Sequence, residues 1–140
     1  MSGNYPRILK RRAEAMMKNA IRLFNEGEYD LAVLNAEYAA QLYVKAVLYQ
    51  LSGEEWRGHS VRTLLGILAF LARENGLNEV ANEIHDFIRR NRRILAELDE
   101  AHVRAVYGIF EYNREQANAI IDISRQVIDM VKRIINEILK

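Results

Sequence analysis

The chain has 140 residues, half of them apolar and 28% charged, with a net charge of +1. That is ordinary for a globular domain, and a chain this length can bury about two thirds of its unfolded surface. With no cysteine, a disulfide framework, a thiolate zinc site and a cysteine nucleophile are all excluded. One proline and seven glycines leave little room for linkers, so residues 1–140 read as one domain.

The opening "MSGNYPRILKRR" lacks the apolar core and small-residue cleavage site of a secretory leader. The apolar run "LLGILAFLA" falls far short of the roughly 20 residues that span a bilayer. The expectation is a cytoplasmic protein with no membrane association. Residues 1–25 set Arg7, Lys10, Arg11, Arg12, Lys18 and Arg22 against Glu14 alone, and "RRNRR" adds Arg89, Arg90, Arg92 and Arg93. Segregated charge of this kind forms either solvated helix faces or a basic patch for RNA or an acidic partner.

In chain order, the first predicted helix runs from about Pro6 to Glu26. Its apolar residues Leu9, Ala13, Met16, Ala20, Leu23 and Phe24 recur every three or four positions, and Gly27 stops it. The second, about Tyr29 to Leu51, is apolar nearly all round but carries Glu37, Gln41 and Lys45 at four-residue intervals. Such a ladder contributes a few tenths of a kcal/mol per pair, and a buried Lys45 amine needs an acceptor. Ser60 is the predicted cap of the third helix. The fourth starts at Leu77 and continues to Leu98 across an interruption at Asn91, and "EAHVRAVYGIFEYN" is ambiguous. The last, about Arg114 to Leu139, is rich in Ile and Val, but its three–four spacing holds too long for a strand and spans about 39 Å as a helix.

These elements predict an all-α, antiparallel up-and-down bundle of four to five helices. Ile67, Phe70, Ile123 and Met130 lie off the main apolar stripes. A helix apolar on two sides is central or covered by another chain, so a homodimer is expected.

Candidate chemistry is sparse. "DEAH", Asp99 to His102, matches a helicase string, but the phosphate-cradling G-x-x-x-x-G-K-[ST] loop that function needs is missing. His59, His85 and His102 lack the paired spacing of a metal site, so neither metal nor cofactor is expected. Tyr29, Tyr38, Tyr43, Tyr49, Tyr107 and Tyr112 could stack bases if exposed, but in helices of this pattern they more often pack.

"GEYDLAVLNAEYAAQLYVKAVL", a glycine-containing loop and "HSVRTLL" together resemble the HEPN domain family of prokaryotes. The family pattern is G-x-Y-x-x-A, then A-x-Q-A-x-E-x-x-x-K-A-x-L, then H-S-[apolar]-x-x-L. Gly27, Tyr29, Ala32, Ala36, Ala39, Lys45, Ala46, Leu48, His59, Ser60 and Leu64 match it, while Tyr38 replaces glutamine and Gln41 replaces glutamate. "AVYGIF" resembles the family's A-R-Y-P-x-[aromatic] turn, with Val106 for arginine and Gly108 for proline.

The resemblance implies a dimeric bundle, often partnered with a small nucleotidyltransferase, in some cases as toxin and antitoxin. Catalytic members are metal-independent ribonucleases with an R-x(4–6)-H motif at the dimer cleft. Here no arginine lies five to seven positions before any histidine. A displaced pair from Arg93, His102 and Arg104 is the remaining catalytic option, and a noncatalytic dimer is the leading expectation. Its candidate contacts to a nucleotide, RNA or partner protein are Lys45, His59, Tyr107, Arg89, Arg90, Arg92 and Arg93. A helical assembly module without a nucleic-acid role is the third reading.

Overall fold

The computed structural model describes residues 4–139, among which all regular structure is helical. The helices are α1 (Asn4–Asn25), α2 (Tyr29–Ser52), α3 (Val61–Glu74), α4 (Asn78–Arg90), α5 (Arg92–Tyr107) and α6 (Arg114–Ile138). Six helices stand where four to five were expected. The difference lies at Asn91, whose side-chain amide donates to the Phe87 carbonyl at 2.9 Å while its own φ moves to −118°. The side chain thus competes for the helical backbone, and one apolar seam becomes α4 and α5. The ambiguous stretch up to Tyr107 completes α5.

α1 and α2 reverse over Gly27, whose φ of +80° suits a residue without Cβ. α2 packs against α1, α3, α5 and α6, which is why it is apolar on almost every side. Ser124 of α6 donates its hydroxyl to the Ala36 carbonyl at 2.6 Å, fixing the register of these two long helices. Asn113 and Gln116 form a reciprocal capping box at the start of α6. Ser60 caps α3 as predicted, accepting from the Thr63 N–H at 3.0 Å.

The off-stripe residues divide. Ile123 and Met130 are buried within the chain, so they argue nothing about a partner. Ile67 is half-buried and Phe70 is exposed. The larger unpartnered apolar surface lies elsewhere, at the end of α5.

There the chain turns at Gly108, whose own N–H donates to the Arg104 carbonyl at 2.9 Å. A Cβ at 108 would lie 2.4 Å from that oxygen. Gly108→Ala therefore displaces the turn at the expense of this bond, costing about 1–3 kcal/mol. Urea unfolding measures the loss, and wild-type stability in the variant would show that the turn yields freely. The loop is pinned at its far end, where Asp30 Oδ1 accepts the Tyr112 N–H at 2.8 Å.

No described helix is long and apolar enough to cross a membrane.

Candidate functional site

The polar ladder of α2 is a continuous network. Lys45 Nζ donates to Gln41 Oε1 at 3.2 Å, and Gln41 Nε2 donates to Glu37 Oε2 at 2.8 Å. His59, just ahead of α3, places Nδ1 3.2 Å from the same Gln41 oxygen. A carbonyl oxygen only accepts, so Nδ1 carries hydrogen, and a neutral ring leaves Nε2 as its acceptor. Gln41 is thereby oriented at both ends. Lys45 is half-buried, and this amide is its acceptor.

α5 closes the network. His102 Nδ1 lies 3.7 Å from Glu37 Oε1, within ion-pair reach and beyond hydrogen-bonding distance. Both atoms are buried without a hydrogen-bond partner. The His102 ring centroid is 5.9 Å from that of His59 and 6.4 Å from that of Tyr38. One helical turn earlier, Asp99 accepts the Ser60 hydroxyl at 2.7 Å and the Val61 N–H at 2.6 Å. Asp99 therefore ties α5 to the first turn of α3, and two residues of the helicase-like string have structural roles here.

Glu37 is fully buried, and its carboxyl is pushed up to about 7. Burial is the main cause, reinforced by the Asp99 charge; the Gln41 hydrogen bond and the Lys45 charge work in the opposite direction. Burial also lowers Lys45, with Glu37 partly offsetting it. A carboxyl that changes charge near neutrality beside the His102 imidazole can take up and release protons.

The sequence candidates fall into separate places. Lys45, His59 and His102 converge on this network. Arg93 precedes His102 by nine residues, about 180° round α5, and Arg104 follows by two, also on the far side. Arg104 instead pairs with Glu100 at 3.0 Å and lies 5.7 Å from the Phe110 ring centroid. Arg89, Arg90, Arg92 and Arg93 are exposed around the α4–α5 junction, with Arg89 paired to Asp86 at 2.6 Å. Tyr107 is 80% exposed. Glu37 and Asp99 went unassigned by sequence reasoning. The four-residue ladder signalled the first, and nothing beyond a chance-like string signalled the second.

Next to the network, Val103, Val106 and Tyr107 share an outer face of α5, and Ile109 and Phe110 follow in the loop, all exposed. Tyr38 extends this surface onto α2 beside His102.

The family model of the HEPN domain matches residues 6–134. The chain belongs to the HEPN domain family. No curated protein and no solved structure matches it significantly. In this HEPN domain the acid of the α2 ladder is Glu37, one turn before Gln41. The Gln41 amide bridges Lys45 and Glu37.

Proposed function

We propose that this HEPN domain works by association rather than by chemistry, as a noncatalytic homodimer that engages a partner protein or nucleotide. The apolar surface at the end of α5 carries this reading. Tyr107 is 80% exposed, Ile109 is fully exposed, and Phe110 and the flanking valines are about half exposed on the same surface. A contiguous cluster of exposed large apolar residues is a candidate protein contact, unlike apolar residues exposed singly. Its aromatic content is that of an interface core, and a two-fold pairing sets each copy's patch on the other's.

At micromolar concentration light scattering should give a dimeric mass, and Ile109→Asp with Phe110→Asp should weaken pairing more than about 30-fold. A monomeric wild type sinks the proposal. A small nucleotidyltransferase, and with it a toxin–antitoxin role, is the partner that family habit suggests. Copurification with such an enzyme encoded beside this chain tests that extension.

A second reading, a metal-independent endoribonuclease, draws on Glu37 and the two imidazoles. It needs a cation to meet phosphate charge; neither arginine candidate shares His102's face of α5, and the cation in the network is Lys45, which is held on the Gln41 amide. Structured RNA incubated with the protein in EDTA should remain intact. Cleavage that disappears in His102→Ala would overturn the noncatalytic reading.

A further inference from the structure

The contact between α2 and α5 encloses two polar atoms that bond to nothing else. Glu37 Oε1 and His102 Nδ1 face each other at 3.7 Å, both buried and both without a hydrogen-bond partner. A proton on either atom makes it a donor to the other, across a gap that a small ring rotation closes. The second carboxyl oxygen, Oε2, already accepts from Gln41 Nε2, so a proton bound by Glu37 belongs on Oε1. A further proton has no place here. Oε1–H and Nδ1–H would meet donor to donor, with a net positive charge enclosed between two helices.

The surrounding groups do not relieve that conflict. Lys45 of α2 is held on the Gln41 amide, and Asp99 of α5 on Ser60 and Val61. His59, ahead of α3, gives its Nδ1 hydrogen to Gln41 whether or not the ring is charged. A charge on His59, 5.9 Å away between centroids, only adds to the repulsion of a cation on His102. Tyr38 of α2 stands on the other side, at 6.4 Å between ring centroids. Of the pair, only His102 has water to turn to, its side chain being 30% exposed against 0% for Glu37. It lies one residue before Val103 and one turn before Val106, at the edge of the exposed apolar surface. A charged ring turned outward therefore enters the surface that a second copy would cover.

We propose that the Glu37–His102 pair is an acid-sensitive latch for the α5 surface: it holds one proton while two copies are paired, and a second proton turns His102 outward and separates them. The inference rests on the association reading. Burial pushes the Glu37 carboxyl up to about 7, which puts the first proton in place near neutrality. The second enters as pH falls through the ordinary imidazole range, about 6.5 and below. A cation covered by a partner loses its hydration. Paired copies thus bind fewer protons than separate ones, and pairing weakens as pH falls.

The test is light scattering of the full-length protein over a concentration series at pH 7.5 and at pH 5.5. The dimer Kd should rise at least about tenfold at the lower pH, the effect of one proton taken up over one pH unit. His102→Gln keeps a partner for Glu37 Oε1 and takes no proton, so its Kd should change less than about twofold between the two conditions. His59→Gln should keep the wild-type response, with thermal melts confirming that both variants fold. Dilution calorimetry adds a readout that needs no variant. Wild-type dissociation at pH 5.5 takes up protons, so its heat should vary with the ionisation heat of the buffer. A wild-type dimer whose Kd ignores acid overturns the latch and leaves the association reading standing, whereas a monomer at pH 7.5 overturns both. The latch is also overturned by an acid response that survives in His102→Gln or disappears in His59→Gln, and by a heat that does not depend on the buffer.

Discussion

Between pH 5 and pH 8 the wild-type protein should lose about 3 kcal/mol of stability through one side chain, Glu37. The folded carboxyl titrates at about 7, against an ordinary value of 4.5. Over that interval the folded state holds a proton that the unfolded state has released. A raised value means that the stability is fully present below the unfolded value and lost as pH rises through the folded one. The window is therefore about 4.5 to about 7, and stability falls with rising pH. Glu37→Gln keeps an acceptor for Gln41 Nε2 and cannot ionise. Urea unfolding at half-unit pH steps should show the variant lacking this component and matching or exceeding wild type at pH 8. In melting temperature the difference at pH 8 is roughly 10 °C. Parallel curves for the two proteins would mean that Glu37 ionises normally and that burial does not control it.

This prediction concerns the residue on which the structure spends most. A carboxyl fully removed from water costs several kcal/mol when ionised, unless charge and hydrogen bonds compensate. Gln41 supplies one hydrogen bond, Lys45 lies two turns away behind the amide, and His102 stops short of hydrogen-bonding distance. An acid at position 41 would lie beside Lys45 and His59. At position 37 it lies in the α2–α5 contact instead, where Asp99 is a neighbouring charge. The ladder of this HEPN domain thus has its acidic end beside His102, next to the apolar surface.

How much of this was legible in the sequence depends on distance along the chain. α2, the Gly27 stop and the Ser60 cap were readable because each depends on residues within one or two turns. The Glu37–Gln41–Lys45 order was readable for the same reason. The break at Asn91 was visible as an interruption, but whether a seam merely weakens or splits depends on a side-chain bond to Phe87 that periodicity does not encode. Ile123 and Met130 misled because α6 is covered on more sides than one stripe suggests; apolar residues off the stripe show that something covers a helix, not what. The apposition of Glu37 with His102, and of Asp99 with Ser60, arises from the packing of α5 on α2 and α3. Neither leaves a local pattern.

Asp99→Ala should cost about 3 kcal/mol, the larger part of it from the first turn of α3. Two charge-assisted bonds end on this carboxylate, from the Ser60 hydroxyl and the Val61 N–H, and Val61 is fully buried. Truncation leaves the Val61 donor without a partner and away from water, the expensive way to lose a hydrogen bond. It also removes a negative charge from the N-terminus of α3, where the helix dipole favours one. Asp99→Asn should recover about half of the loss, since its amide oxygen can still accept one bond. The same substitution carries a second readout. The Asp99 charge helps hold Glu37 up, so the Glu37 inflection in the stability–pH profile should move to lower pH in Asp99→Asn. An unmoved inflection together with lost stability would confine Asp99 to anchoring α3. An unchanged unfolding midpoint in Asp99→Ala would mean that α5 does not hold the start of α3 at all.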